Sequence, residues 1–278
     1  MAAGRAFADL SGWRKVGVEG ADARRWLDAL VSASLDDLGP GRARRAAFLS
    51  PTGAVLAEFT VSVPGGDLLL LQDPAQPRPV DELLAPYVLS SDVRLRDRTA
   101  ELGLFAFPGR SEPPDAPGGA PSAPSVLGEG VDVICAAEDR EVLLRSLSSA
   151  FAPVREEDVE AWRVGRGIAR FAVDGADGDL PQECGLEGVI SWDKGCFPGQ
   201  EALAKVRNLG HPRRVLLHLG AAGPVRPGEA VLADGVEVGV VTSAARSGDR
   251  WSALARVRWE ARLARLRSRA GVELAPVG

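Results

Sequence analysis

The apolar residues of this chain recur with two different periods, and each period predicts one type of element. Over residues 22–31 they are spaced three and four apart, which is typical of an amphipathic helix. The same spacing predicts helices at residues 80–89, with a kink at Pro86, at 140–151 and at 156–166. Short apolar runs between turn residues predict strands at 45–49, 54–63, 68–71, 93–96 and 131–136. This mixture predicts an α+β fold.

The pattern changes after residue 207. Predicted strands at 214–219, 230–233, 237–243 and 250–259 follow one another, and Asp234-Gly235 is a strong signal for a two-residue hairpin turn. Along the last strand the residues alternate, and Trp251 and Trp259 fall on its mainly apolar side. We therefore predict an α+β region at 1–207 and an antiparallel β-barrel at 208–278, with both tryptophans inside it.

Residues 108–124 interrupt the first region. They contain six prolines, two adjacent glycines and mostly small residues, a composition that does not build a packed element. We predict an exposed loop or linker here. It need not be a domain boundary, because a strand pattern resumes at residue 131.

Composition limits the classes of function. The 278 residues are 45% hydrophobic and carry a net charge of −5, which disfavours a general nucleic-acid binder. Residues 1–20 show no signal-peptide pattern, and no apolar run approaches the roughly 20 residues that span a bilayer. The three cysteines, Cys135, Cys184 and Cys196, have no zinc-site spacing. We expect a cytoplasmic protein without a membrane segment or a resident metal site.

Cys196 lies in the most informative stretch of the chain, residues 194–201. Pro198 suits the first position of a helix, which would place Gln200 and Glu201 in the first turn and Cys196 on the preceding loop. The helix dipole and nearby Lys194 would then favour the thiolate, which is how reactive or ligating cysteines are presented. The pattern also fits a small buried residue in a tight turn, as most free cysteines are.

Residues 194–201 read Lys-Gly-Cys-Phe-Pro-Gly-Gln-Glu. They resemble the Lys-Gly-Cys-Tyr-x-Gly-Gln-Glu signature of the YgfZ-like proteins, a branch of the folate-binding superfamily that includes the aminomethyltransferase of the glycine cleavage system. Flanking residues that are similar to family patterns are Arg163, Gly167, Pro181, Glu183, Gly185, Leu186 and residues 239–243. The resemblance covers nearly the whole chain and weakens between residues 74 and 124. It implies a multi-module aminomethyltransferase-like fold around a central pocket, ending in a β-barrel.

The resemblance also implies that tetrahydrofolate is the cofactor. Glu183 would accept the adjacent N–H and NH₂ donors of the pterin ring, although an isolated glutamate on such a loop is usually a surface residue. The other residues that the resemblance implies as cofactor contacts are Gly195, Phe197, Gly199, Gln200, Glu201, Arg163 and Arg207. Further candidates for the carboxylates of the glutamyl tail are Lys205, Arg213 and Arg214, each of which would more commonly be a solvated charge. The family often has arginine where Lys205 stands, and lysine lacks the planar donor pair of a guanidinium, which weakens the case for direct ligand contact by Lys205.

Three functions remain open at this point. The first, implied by the resemblance, is a tetrahydrofolate-binding protein that assists iron–sulfur cluster assembly or repair in client proteins, with Cys196 as the working thiol and Lys194 beside it. The second is a folate-dependent aminomethyltransferase, which needs a carboxylate at the reacting nitrogen; the predicted strand at 54–63 offers only Glu58. The third is a folate- or partner-binding module without chemistry. His211 and His218 lack a catalytic partner pattern and are expected to be structural.

Overall fold

The computed structural model describes residues 4–114 and 120–277, so residues 115–119 of the predicted 108–124 loop lie outside the described residues. The chain forms two compact units. Unit 1 consists of Met1–Phe48, Leu56–Glu156 and Val189–Pro198. Unit 2 consists of Leu49–Val55, Glu157–Gly188 and Gly199–Gly278.

Within residues 4–114 and 120–198, the described part of unit 1 contains two sheets and three α-helices. Its strands are, all or in greater part, β1 (Ala6–Asp9), β2 (Arg14–Glu19), β3 (Arg42–Leu49), β4 (Val55–Val63), β5 (Leu68–Gln72), β6 (Arg94–Asp97), β7 (Leu102–Pro108), β8 (Ser122–Pro124), β9 (Gly130–Ala136) and β10 (Ala152–Pro153). Its helices are α1 (Ala23–Leu30), α2 (Val80–Leu84) and α3 (Arg140–Ala150). A 3₁₀ turn over Ala85–Tyr87 follows α2, which confirms the predicted break at Pro86.

The first sheet has the order β3-β4-β5-β2-β6 and carries α1 on its apolar face. Leu27 and Trp26 of α1 are buried among residues of this sheet, as the helical spacing predicted. The sequence did not predict β2, because Lys15 interrupts its apolar run. The Lys15 side chain is nevertheless fully buried, since its ammonium donates to the carbonyls of Ser11 (2.7 Å) and Trp13 (2.8 Å).

The second sheet has the order β10-β1-β7-β9-β8 and packs its aromatic residues against α3. Phe7, Phe105 and Phe107 are fully buried in this core. The prediction of a loop throughout 108–124 is wrong at both ends, because β7 extends to Pro108 and β8 occupies Ser122–Pro124. A proline-containing strand is tolerated because β8 is the edge strand of the sheet.

Unit 2 is built around a closed β-barrel with the strand order β11-β14-β13-β12-β15-β16. The strands are β11 (Arg214–Ala221), β12 (Ala230–Ala233), β13 (Val236–Ser247), β14 (Arg250–Arg258), β15 (Leu266–Ser268) and β16 (Glu273–Pro276). The helices of this unit are α4 (Glu156–Gly165), α5 (Phe171–Asp174) and α6 (Gln200–Leu209). The predicted barrel and its first four strands are confirmed. The two short closing strands, β15 and β16, lacked a detectable alternation.

Small and branched residues of alternate positions fill the barrel, among them Val241, Ala255 and Val257. The prediction that Trp251 and Trp259 lie inside is wrong. Trp251 is half-buried outside this core, and Trp259 follows β14 in a 3₁₀ turn. The Trp259 ring stacks on His211 with a centroid distance of 5.3 Å and an interplanar angle of 4°. No helix within the described residues is long and apolar enough to cross a membrane.

Asp132 in β9 is an unusual member of the unit 1 core. The residue is 1% exposed, and one carboxyl oxygen accepts the Val126 N–H at 2.8 Å. The other oxygen, Oδ1, has no hydrogen-bond partner among the residues that the structure describes. Burial is the main cause that raises the pKa of Asp132 to about 7, because ionisation without solvent is costly.

This raised pKa predicts a pH-dependent stability. Between the pKa of an unfolded aspartate, about 3.9, and that of folded Asp132, the folded state binds more protons than the unfolded state. The contribution of this carboxyl is therefore greatest below about pH 4 and falls by up to about 4 kcal/mol as the pH rises past 7. Urea unfolding of the wild type and Asp132→Asn, measured from pH 4.5 to 8, should show a difference that changes in this direction. A difference that stays constant with pH would contradict the assignment.

Candidate functional site

Cys196 is the exposed cysteine of the chain. Cys135 and Cys184 are buried, at 7% and 0% exposure. Burial also raises the pKa of Cys135, which keeps that thiol protonated. The interpretation of Cys196 as a small buried residue is therefore wrong, and its thiol is available to solvent and to reagents.

The side chain of Lys194 is directed into unit 1. It is 2% exposed, and its ammonium donates to the carbonyls of Val31 (2.9 Å) and Ala33 (2.8 Å). It also donates to the Asp28 carbonyl, and it lies 3.2 Å from the Asp28 carboxylate. Burial lowers the pKa of Lys194, although Asp28 opposes this effect. The hydrogen bonds of Lys194 thus go to the C-terminal end of α1 and the residues after it, whereas the sequence suggested a partnership with the thiol.

Backbone and serine contacts fix the same segment. Ser32 Oγ donates to the Val189 carbonyl at 2.8 Å, and Ser191 N donates to the Ser32 carbonyl at 2.9 Å. Ser34 N donates to Ser191 Oγ at 2.9 Å. Sequence reasoning missed these partners, because they are separated from the loop by 157 residues and form no motif. Residues 189–194 are therefore firmly attached to the segment after α1.

Phe197 anchors the loop on the other side of the thiol. It is 6% exposed, and its ring centroid lies 5.6 Å from Lys194 Nζ, within cation–π range. Gly195 and Cys196, between these two buried side chains, are exposed. The loop thus turns its inner residues into unit 1 and its thiol outward.

The helix after the loop begins later than predicted. Pro198 is not its first residue, because Gly199 occupies the N-cap and α6 starts at Gln200. Gly199 has φ +83°, and a Cβ there would lie 2.5 Å from the Ser50 carbonyl oxygen. Only glycine meets both conditions, which explains its place in the signature. Gln200 and Glu201 occupy the first turn as expected.

Arg163 uses its whole guanidinium inside unit 2. Its Nε and one NH₂ group bind the Glu160 carboxylate. The other NH₂ group donates to Asp174 Oδ2 (2.6 Å) and to the Ile168 carbonyl (3.1 Å). The fifth N–H donates to Ser243 Oγ at 2.6 Å. A guanidinium has five N–H donors, so every donor is already used inside unit 2 and none is left to bond the folate predicted for Arg163.

Asp174 completes this network. It is fully buried and accepts the Arg170 N–H (3.0 Å) and the hydroxyls of Thr242 and Ser243 (2.6 Å each). Thr242 and Ser243 belong to the strand residues that carry the family resemblance. Their role in this structure is to attach α4 and α5 to β13.

Glu183 ends a 3₁₀ turn over Pro181–Glu183 and is 7% exposed. One carboxylate oxygen accepts the Leu180 N–H at 3.1 Å, and the other accepts the Arg213 N–H at 3.0 Å. Each oxygen keeps one further lone pair. Beside it, the amide of buried Gln182 makes no hydrogen bond within the described residues. Acceptors and an unpaired amide fit a ring with N–H and C=O groups, so these residues are compatible with a pterin.

The basic residues proposed for a folate tail are exposed. They are Lys205 and Arg207 on α6, and Arg213 and Arg214 at the start of the barrel. His218 is half-buried in β11, and burial lowers its pKa, as suits a structural residue. In residues 4–114 and 120–277 no group of three or more His, Cys, Asp or Glu residues is placed to hold a metal ion.

Comparison with known proteins shows the fold. No protein-family model matches the chain. A chloroplastic protein of Arabidopsis thaliana, provisionally named as a transferase, is 24% identical over 266 residues, which cover 86% of this chain and 62% of that protein. The chain thus spans less than two thirds of that relative's length. The crystal structure of the glycine cleavage system aminomethyltransferase T from Bartonella henselae superposes with a TM-score of 0.83 at 17% identity, covering 98% of this chain and 84% of that one. The predicted aminomethyltransferase-like fold is confirmed.

The contacts of Lys194 predict that it positions the loop. In Lys194→Met the acceptors after α1 lose a buried donor, so the free energy of unfolding should fall by about 1–3 kcal/mol. Amide hydrogen exchange over residues 189–197 should accelerate. Lys205→Met, which removes an exposed lysine, is the control and should change neither the free energy of unfolding nor the exchange. Unaltered stability and exchange in Lys194→Met would contradict this positioning role.

Proposed function

We propose that this chain is a YgfZ-like, tetrahydrofolate-binding protein that assists the assembly or repair of iron–sulfur clusters through Cys196. The observation that carries the proposal is the placement of this thiol. Cys196 is exposed on a loop whose neighbouring side chains, Lys194 and Phe197, are buried and bonded. A firmly held loop that directs one thiol outward suits a thiol that meets another molecule.

A single exposed thiol suits a transient contact with a cluster. Resident iron–sulfur clusters are usually held by four cysteine thiolates, which one loop cysteine does not provide. In a passing contact the Cys196 thiol releases its proton to solvent, and the thiolate donates an electron pair to an iron of the client's cluster. Lys194 and Phe197 hold the loop, and Gly199 gives the backbone its left-handed turn.

Tetrahydrofolate, when bound, supplies a reduced pteridine that carries one-carbon units. In this proposal Glu183 accepts pterin N–H groups with its remaining lone pairs, because both oxygens already have a fixed direction. Arg207, Lys205, Arg213 and Arg214 offer cations to the carboxylates of the glutamyl tail. Gln200 and Glu201, in the first turn of α6, remain proposed cofactor contacts.

Cys196→Ser tests the thiol. Because Cys196 is exposed, the substitution should change the free energy of unfolding by less than about 0.5 kcal/mol. It should abolish recovery of an iron–sulfur enzyme after oxidative damage, measured in cells whose own copy of the gene is deleted. In the native wild type, iodoacetamide should modify Cys196 at least about 100-fold faster than Cys135 or Cys184, and urea should remove this difference. Full recovery with the serine variant would refute the thiol's role and favour a module without chemistry.

Aminomethyl transfer is the second candidate, favoured by the structural likeness to an aminomethyltransferase and by the transferase name of the Arabidopsis thaliana protein. That reaction needs a carboxylate at the reacting nitrogen. Glu58 of β4, the acid in the predicted strand, is ion-paired with Arg45 and is 13% exposed. Its charge is thus already compensated.

We therefore expect tetrahydrofolate binding without aminomethyl turnover. The wild type should bind tetrahydrofolate in calorimetry, and it should produce no methylenetetrahydrofolate when an aminomethyl-lipoyl donor is added. A glycine cleavage aminomethyltransferase assayed in parallel verifies the donor. Turnover by this chain would establish the second candidate in place of the first.

A further inference from the structure

Gln182 carries an amide that this fold leaves unpaired. The residue is the middle of the Pro181–Glu183 turn in unit 2 and is 8% exposed. Neither its Nε2 nor its Oε1 has a hydrogen-bond partner in the part of the chain that the structure describes. Burying an amide without partners costs free energy, and native structures rarely leave such groups. Gln182 loses both a donor and an acceptor on one side chain.

A third unpaired atom lies in the same region. Arg256 Nε is buried and has no partner among the described residues, although the same guanidinium binds the Asp179 carboxylate at 2.5 Å. Arg256 pairs in register with Leu216 of β11, and Leu216 lies against Gly185, where a Cβ would come within 2.8 Å of it. Arg256 is thus attached to Asp179, three residues before Gln182 in the sequence.

A second glutamine shows that this chain satisfies a buried amide when the amide is structural. Gln72 is fully buried, and its oxygen accepts the Val80 N–H at 3.0 Å and an N–H of Arg14 at 3.3 Å. Its nitrogen donates to the Arg78 carbonyl at 3.0 Å and to Gln76 at 3.3 Å. Gln182 has the same chemistry and comparable burial with none of these partners.

We infer that Gln182 recognises the lactam edge of a bound pterin, an inference that rests on the proposed binding of tetrahydrofolate. A carboxamide presents a donor and an acceptor side by side, which is the complement of the adjacent ring N–H and C=O of a 2-amino-4-oxo pteridine. Glu183 does not match this edge, because a carboxylate has acceptors only and offers no donor to the ring carbonyl.

The lack of partners also lowers the free-energy cost of rotating the Gln182 side chain. In the free chain both amide atoms are covered, so the side chain must turn toward a ligand before it can bind. Such a rotation breaks no hydrogen bond, because none is made. The free energy lost by burying the amide unpaired is recovered when the ligand pairs with it.

The test compares Gln182→Met with Gln72→Met, two near-isosteric changes that remove a buried amide. Tetrahydrofolate is titrated by calorimetry, and thermal unfolding is recorded without ligand. Gln182→Met should weaken binding at least tenfold and leave Tm unchanged or higher, because it removes an unpaired group. Gln72→Met should lower Tm and leave the Kd of the folded protein unchanged.

The 4-amino analogue of tetrahydrofolate, which has no lactam carbonyl, tests the edge itself. The wild type should prefer tetrahydrofolate over this analogue by at least tenfold more than Gln182→Met does. An unchanged Kd for Gln182→Met, with or without a lower Tm, would overturn the inference and assign the amide to internal water or to the framework. Failure of the wild type to bind tetrahydrofolate is a separate result, which would refute the folate proposal and this inference with it.

Discussion

The buried ammonium of Lys194 is the interaction on which the candidate site depends. The last carbonyls of a helix have no partner within the helix, and they carry the negative end of its dipole. Lys194 meets this need at the end of α1, where it donates to carbonyls of Asp28, Val31 and Ala33. Desolvating an ammonium is costly, so it is stable here only because every donor finds an oxygen. The path of the loop that carries Cys196 depends on this requirement, together with the serine contacts of residues 189–191.

Unit 2 also buries charged side chains, in this case a pair of opposite charge. Arg163 and Asp174 are both buried, and each would be strongly destabilising alone. All five donors of Arg163 are used, and Asp174 accepts from both strand hydroxyls of β13. Arg163, Thr242 and Ser243, which were among the residues similar to family patterns, therefore attach α4 and α5 to the barrel. Likeness of sequence alone does not separate such framework residues from residues that meet a ligand.

Much of the fold was readable from the sequence, because α1 and the strands β11 to β14 show undisturbed periodicity. β2 was not, since a buried lysine interrupts its apolar pattern and only the tertiary structure supplies carbonyls for it. Trp259 was misplaced because alternation says which side of a strand is apolar, but not where the strand ends. The residues that fix the Cys196 loop were invisible, since Ser32 and Ser34 contact it across 157 residues without a local motif.

Hydrogen-bond satisfaction helps to separate framework from site, although Asp132 of the unit 1 core also keeps one oxygen without a partner among the described residues. Folding selects for buried polar groups that have partners, so Lys15, Gln72 and Arg163 are explained by the fold itself. The fold does not explain the unpaired amide of Gln182 or the exposed thiol of Cys196. An apolar residue at 182 and a serine at 196 would serve the fold as well or better. Departures of this kind persist where function requires them.

The two residues lie in different units: Cys196 belongs to unit 1 and Gln182 to unit 2. In the proposed function the thiol contacts a client's cluster and the amide contacts the cofactor, so the two groups serve different molecules.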